Sequence, residues 1–164
     1  MARYITVGAA QSGPISRSET RGDVIARLID QMREAHARGC DLVVFTECAL
    51  TAFFPHWFMA DDDEIESYFE SELPGSATQP LFDYARDNAI GFSLGYAELT
   101  PGGDHFNTQV LVDKKGAIVG TYRKVHLPGH AEFDSERSFQ HLEKRYFLPG
   151  DKGFPVWPTM DGNI

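Results

Sequence analysis

Four consecutive apolar residues, Leu42-Val43-Val44-Phe45, run between Asp41 and Thr46-Glu47 with no polar alternation. A strand with one wet face alternates, so an unbroken run of this kind is the pattern of a strand covered on both faces. Upstream, Tyr4–Ala10 is a second short apolar run, closed by Gln11-Ser12-Gly13-Pro14; its length and stop signals read as a buried strand and a loop. Between the two the period changes. Thr20 and Asp23 fit a capping box, in which each side chain satisfies a free backbone N–H. Val24, Ile25, Leu28, Ile29 and Met32 then recur at helical spacing as one apolar stripe. Gly39 follows the last turn, where a left-handed residue usually ends a helix. Strand, helix and strand within the first 47 residues make a crossover unit and predict neighbouring parallel strands.

The remaining chain continues the α/β pattern. An acidic segment, Asp61 to Glu72, reads as an exposed helix, and Ser76 to Asn88 as another, with Leu81, Phe82 and Ala85 on one face. Ile90 to Leu99 reads as a strand, and Pro101-Gly102-Gly103-Asp104 as a turn. Phe106–Val112 and Ala117–Lys124 are two further strands whose close spacing across Asp113–Gly116 predicts an antiparallel hairpin. From His126 to Ile164 the chain is irregular and rich in Pro, Gly and aromatics, a kind of long loop that is usually functional or part of an interface. The aromatic loop Phe53-Phe54-Pro55-His56-Trp57-Phe58 fits core, an oligomer contact or a pocket lining equally well. The fold class is α/β with a mixed sheet.

Composition narrows the function classes. The 164 residues, 42% of them apolar, suffice for one domain with a sizeable core. A net charge of -9 repels phosphate backbones, which argues against a nucleic-acid partner. Cys40 and Cys48 flank one apolar run, so a reducing compartment is favoured over a disulfide framework. The N-terminus lacks the pattern of a signal peptide, and no apolar stretch reaches the roughly 18 residues that cross a bilayer. A soluble, cytoplasmic protein without a membrane partner is expected.

Two charged residues sit where chemistry gathers in α/β sheets, at the carboxyl ends of strands. Glu47 closes the buried strand and enters the aromatic loop, where partial desolvation suits a carboxylate to general-base work. A structural alternative is a carboxylate that caps a turn or pairs with a cation. Lys124 ends the strand Ala117–Lys124 and is placed to donate to a developing oxyanion; its alternative is a solvated cation. A metal site is not expected. His126 and His130 are four apart, but Pro128 breaks the helix that would set both rings on one face. Asp61-Asp62-Asp63-Glu64 lacks the spacing and turn glycine of a calcium loop.

Leu42-Val-Val-Phe-Thr-Glu47 resembles the motif that presents the catalytic glutamate in the nitrilase superfamily of carbon–nitrogen hydrolases, and Tyr122-Arg-Lys-Val-His-Leu127 resembles its lysine motif. Asn107-Thr108 with the hairpin, and Phe147-Leu-Pro-Gly-Asp151, stand in the order that superfamily uses. Thr51-Ala-Phe-Phe-Pro55, His126-Leu-Pro-Gly-His130 and Phe139-Gln-His-Leu-Glu-Lys-Arg-Tyr-Phe147 are similar to segments of the N-carbamoyl-D-amino-acid amidohydrolases.

The resemblance implies that residues 1–164 are one carbon–nitrogen hydrolase domain, incomplete at its C-terminus, and the N-terminal part of a four-layer α-β-β-α sandwich. It implies hydrolysis of N-carbamoyl-D-amino acids to amino acid, carbon dioxide and ammonia, with no metal or organic cofactor. Glu47 would be the general base, Lys124 the oxyanion stabiliser, and Glu132 the second glutamate that orients the lysine; His126 and His141 would line the substrate pocket. The nucleophile would be a cysteine beyond a segment like Phe154–Ile164. Cys48 directly follows Glu47 and would point to the opposite face of a continuing strand, while Cys40 lies at the far end of that strand. The small-molecule N-carbamoyl substrate would be bound by a homo-oligomer when full length. Two alternatives remain: a related amidase or carbamoylase with another substrate, and a non-catalytic protein that acts by binding or by complementing another chain.

Overall fold

The computed structural model describes residues 4–159 and 162–163. Met1–Arg3, Met160, Asp161 and Ile164, which carry part of the N-terminal reading and of the segment before the expected nucleophile, lie outside them.

Five strands form one mixed sheet in sequence order: β1 (Val7–Ala9), β2 (Leu42–Val44), β3 (Gly91–Leu99), β4 (His105–Val112) and β5 (Ile118–Arg123). β1 and β2 are parallel, as the crossover predicts, and β3 is parallel to β2; β4 pairs antiparallel with both β3 and β5. The crossover helix α1 (Arg21–Ala37) starts on the Thr20–Asp23 capping box and buries Val24, Ile25, Leu28 and Met32. The acidic helix shrinks to one short piece, α2 (Asp62–Glu66), whose N-cap Asp61 accepts from the amides of Asp63 and Glu64. α3 (Gln79–Asn88) buries Leu81, Phe82 and Ala85.

Side-chain alternation assigns each strand two faces. Val43 and Phe45, then Phe92, Leu94 and Tyr96, then Val110 and Val112 all turn toward α1 and α3 and make the main core with them. The other face carries Val44, 36% exposed. Two expectations are corrected here. The first strand is not buried: β1 is the sheet edge, with Val7 53% exposed, because only its α1 side is covered among the described residues. The second ends at Val44 rather than Glu47, because the chain leaves the β1–β2 register and bonds along β3, with Phe45 N–H donating to Ser93 O (2.9 Å) and Ala49 N–H to Gly95 O (2.8 Å).

A smaller core lies at the carboxyl end of the sheet. Cys48, Phe54, Met59, Phe69, Ala97, Leu142, Tyr146 and Phe147 are its buried members. It joins the aromatic loop to the short helix α4 (Glu143–Tyr146): Leu142 N–H donates to Pro55 O (2.7 Å), the Tyr146 hydroxyl donates to Trp57 O (2.7 Å), and Met59 N–H donates to that hydroxyl (2.9 Å). Two short antiparallel strands, β6 (Pro158–Thr159) and β7 (Gly162–Asn163), stand apart from the main sheet.

Arg123 fastens the end of β5. It donates to both oxygens of Glu98 (2.9 and 2.6 Å), reaches Asp151 (3.0 Å), and lies 3.9 Å over the Phe106 ring. The Arg123 and Glu98 side chains are only 12% and 16% exposed. Removing one partner of such a pair strands the other charge, so Arg123→Met is expected to cost about 3 kcal/mol in urea unfolding. Burial pushes the Glu98 carboxyl up, but hydrogen bonds from Arg123 and Thr108 outweigh it and hold the group below its ordinary value. A depressed carboxylate stabilises the fold above its unfolded pKa and loses that contribution as pH falls through the folded one. The gap between wild type and Arg123→Met therefore narrows as the pH drops below about 4.

Candidate active site

Glu47 is set by a turn rather than by a strand. Residues 46–48 cross directly over β3 at Gly95, where a Cβ would stand 2.7 Å from Glu47 Cα and from Thr46 O. Cys48 takes a left-handed conformation (φ 47°) in this turn, which sends its thiol into the smaller core while the Glu47 side chain stays 44% exposed. That is more exposure than the sequence reading expected, because the described residues cover only one side of the carboxylate.

Lys124 sits one residue past β5. Its N–H donates to Asn107 O (2.8 Å) and its carbonyl accepts from Gly150 N–H (2.9 Å), so the backbone is bracketed between β4 and the loop after α4. From there the ammonium reaches two carboxylates: Glu47 Oε1 at 2.6 Å and Glu143 Oε2 at 2.8 Å. Asn107 Nδ2, on β4, also donates to Glu47 Oε1 (2.5 Å).

Glu143, the first residue of α4, is 1% exposed. A carboxylate is almost never buried this far unless paired, and both its oxygens are engaged: Oε2 by Lys124, Oε1 by His141 Nε2 at 3.0 Å. Burial pushes the Lys124 ammonium down, but the hydrogen bonds and charges of Glu143 and Glu47 more than compensate, and its pKa is raised. The lysine is therefore a fixed cation at neutral pH, not a proton acceptor. An ammonium held in this way can stabilise negative charge that develops beside it, and the adjacent partly open carboxylate can take a proton.

The structure brings together Glu47, Lys124 and His141 of the residues named from sequence. It does not bring Glu132 or His126. Glu132 is exposed on the loop after β5, and the second carboxylate on Lys124 is Glu143 instead. The resemblance that named Glu132 rests on its place in an irregular loop, whereas Glu143 is lifted into place by the packing of α4 on the aromatic loop. His126 is exposed and stacks near Phe154 (6.2 Å between centroids), away from the cluster. Glu143 and Asn107 are the participants the sequence reading missed. The available signal for Glu143 was a lone carboxylate between Leu142 and Tyr146-Phe147, all of which are buried.

Neither cysteine reaches the cluster as a nucleophile. Cys48 is 3% exposed, and burial first, then the charges of Glu47 and Glu143, push its thiol well above the ordinary cysteine range. Cys40 packs against Gly8 at the opposite end of β2. Among the described residues no three His, Cys, Asp or Glu side chains gather in a way that could hold a metal ion, and no helix is long and apolar enough to cross a membrane.

Known proteins carry the same architecture. An N-carbamoylputrescine amidase from Solanum lycopersicum is 27% identical over 163 residues, spanning 99% of this chain and 49% of that protein. The chain spans about half the length of the curated relatives it matches. Among solved structures, a carbon–nitrogen hydrolase from Helicobacter pylori G27 superposes with a TM-score of 0.77 at 23% identity, over 95% of this chain and 48% of that one. Nit3 of Saccharomyces cerevisiae, a member of the nitrilase superfamily, does so with a TM-score of 0.72 at 22% identity, over 97% and 53%. The carbon–nitrogen hydrolase family itself matches residues 6–164, from the start of β1 through the whole cluster; the chain belongs to that family.

Proposed function

We propose that the protein hydrolyses the ureido C–N bond of N-carbamoyl-D-amino acids. The observation that carries this reading is the position of Lys124 Nζ, 2.6 Å from the partly open Glu47 and 2.8 Å from the buried Glu143. The ureido group is favoured by the segments 51–55, 126–130 and 139–147, and by the N-carbamoyl substrate in the name of the tomato relative.

In the proposed reaction Glu47 takes the proton of a cysteine thiol supplied from beyond residue 164, since Cys40 and Cys48 are both unsuited. The thiolate attacks the carbamoyl carbon. The carbonyl oxygen becomes an oxyanion beside Lys124, whose charge is already fixed there and needs no reorganisation. Collapse breaks the C–N bond, and Glu47 returns its proton to the departing amino group of the amino acid. A water deprotonated by Glu47 then attacks the thiocarbamate, which frees the thiol and releases carbamate, the source of carbon dioxide and ammonia. Glu143 and His141 hold the lysine and do not exchange atoms with the substrate.

The test uses the complete gene product, incubated with N-carbamoyl-D-amino acids, their L enantiomers and simple carboxamides. Equimolar free amino acid and ammonia from the D-ureido compounds is the expected result. Turnover of carboxamides alone would move the assignment to a related amidase. Absence of any turnover would sink the catalytic reading and leave the protein as a binding or complementing partner.

A further inference from the structure

The aromatic loop divides its rings among different tasks. Phe54 is fully buried and packs on Tyr68, Phe69, Tyr146 and Phe147 at 4.8–5.5 Å. Trp57 carries the Arg17 guanidinium at 4.7 Å, and Phe58 pairs with Phe133 at 5.1 Å. Phe53 and His56 do neither. Their rings stand 5.9 and 6.0 Å from the ring of His141 and 4.9 Å from each other, all edge to face. Phe139, 70% exposed, extends the row at 6.3 Å from His56.

This row is linked to the charged cluster through the His141 ring in its middle, which contacts the buried Glu143, itself bonded to Lys124. Beside it opens a cavity of about 580 Å³, bounded by Gly129, His130, Glu136, Arg137, Ser138, Phe139 and His141. Its one guanidinium is engaged: Arg137 donates to Asp134 (2.9 Å) and contacts His130. The cavity thus presents the rings of His130, Phe139 and His141 with the Glu136 carboxylate beside them, next to the Phe53 and His56 rings that contact His141.

We infer that Phe53, His56 and Phe139 form a side-chain subsite that receives a planar, uncharged aromatic group of the substrate while the scissile C–N bond lies at Lys124. This deepens the reading above and rests on it. Rings arranged edge to face complement another ring's electron distribution, an advantage an aliphatic side chain of equal area does not have; one such contact is worth a factor of about 3–10.

The experiment compares kcat/KM of the complete gene product for N-carbamoylphenylalanine and N-carbamoylleucine, in whichever enantiomer is cleaved. The native protein should favour the aromatic substrate by about tenfold, and Phe139→Ala and His56→Ala should each reduce that ratio about 3–10-fold. Both positions are exposed, so folding is not at stake, and thermal unfolding checks this. Phe139→Tyr should restore the ratio, whereas Phe139→Leu, which keeps apolar area without a ring, should behave like Phe139→Ala. A native preference for leucine, or a ratio unmoved by both alanine variants, overturns the subsite and leaves the hydrolase reading standing. No cleavage of either compound overturns both.

Discussion

Lys124→Met is expected to lower kcat/KM of the complete gene product by about 10²–10³-fold, the usual loss when one donor to a developing oxyanion is removed. The same change should destabilise the fold by about 3 kcal/mol or more, since Glu143 is 1% exposed and keeps only His141 as a partner. Glu47 loses less, because Asn107 still donates to it and its side chain is 44% open. Steady-state kinetics and urea unfolding read the two effects separately. A second variant tests the cause: adding Glu143→Gln to Lys124→Met removes the stranded charge, so part of the stability should return while the activity does not. The pH dependence has a definite sign. Lys124 is held above the ordinary lysine value, so its stabilising contribution is complete below an unfolded pKa near 10.4 and fades as the pH rises through the folded one. Wild type and variant should converge in strong alkali. An unfolding midpoint unmoved by Lys124→Met at neutral pH would mean that the buried carboxylate does not depend on the ammonium.

Gly95→Ala is the second large effect, and it acts through the backbone alone. The added methyl would meet Glu47 Cα and Thr46 O at 2.7 Å and Cys48 N at 2.9 Å. Each obstacle is main chain, so no side-chain rotation relieves it; either β3 or the turn must shift. A clash of this kind costs about 1–3 kcal/mol, and a displacement of Glu47 by about 1 Å costs about 10²-fold in turnover. Gly102→Ala is the control: the nearest neighbour of its Cβ would be Thr100 Oγ1 at 3.7 Å, an ordinary contact. Loss of activity with Gly95→Ala, retained with Gly102→Ala, would locate the effect in the turn. Equal behaviour of the two variants would remove Gly95 from the account.

Features carried by local periodicity were legible in the sequence. The α1 stripe, its capping box and the parallel pairing of β1 with β2 follow from residues 4–47 and their spacing. Glu47 and Lys124 were legible because a charged residue that ends an apolar run is visible without knowing the fold. Glu143 was not. Its burial is created by bonds between segments more than 80 residues apart, such as those of Tyr146 to Trp57 and Met59, and no local pattern encodes them. The end of β2 was misread for a related reason: Gly95, which lets the chain cross onto β3, lies far from Glu47 in sequence. The coverage of β1 was misread because an apolar run does not reveal whether its strand lies at the middle or the edge of a sheet.

One ammonium between two carboxylates leaves the cluster with a single negative charge. In the proposed reaction that surplus is useful. When Glu47 accepts the thiol proton, the cluster becomes neutral as the sulfur becomes anionic, so the charge is relocated across the site and not created. No new pair of opposite charges has to be separated in making the nucleophile. Had Glu143 been absent, the same step would have left a net cation beside the new thiolate and stabilised the resting anion at the expense of its reactivity. The buried carboxylate thus acts as a counterweight that sets how strongly the lysine holds on to whatever anion comes next.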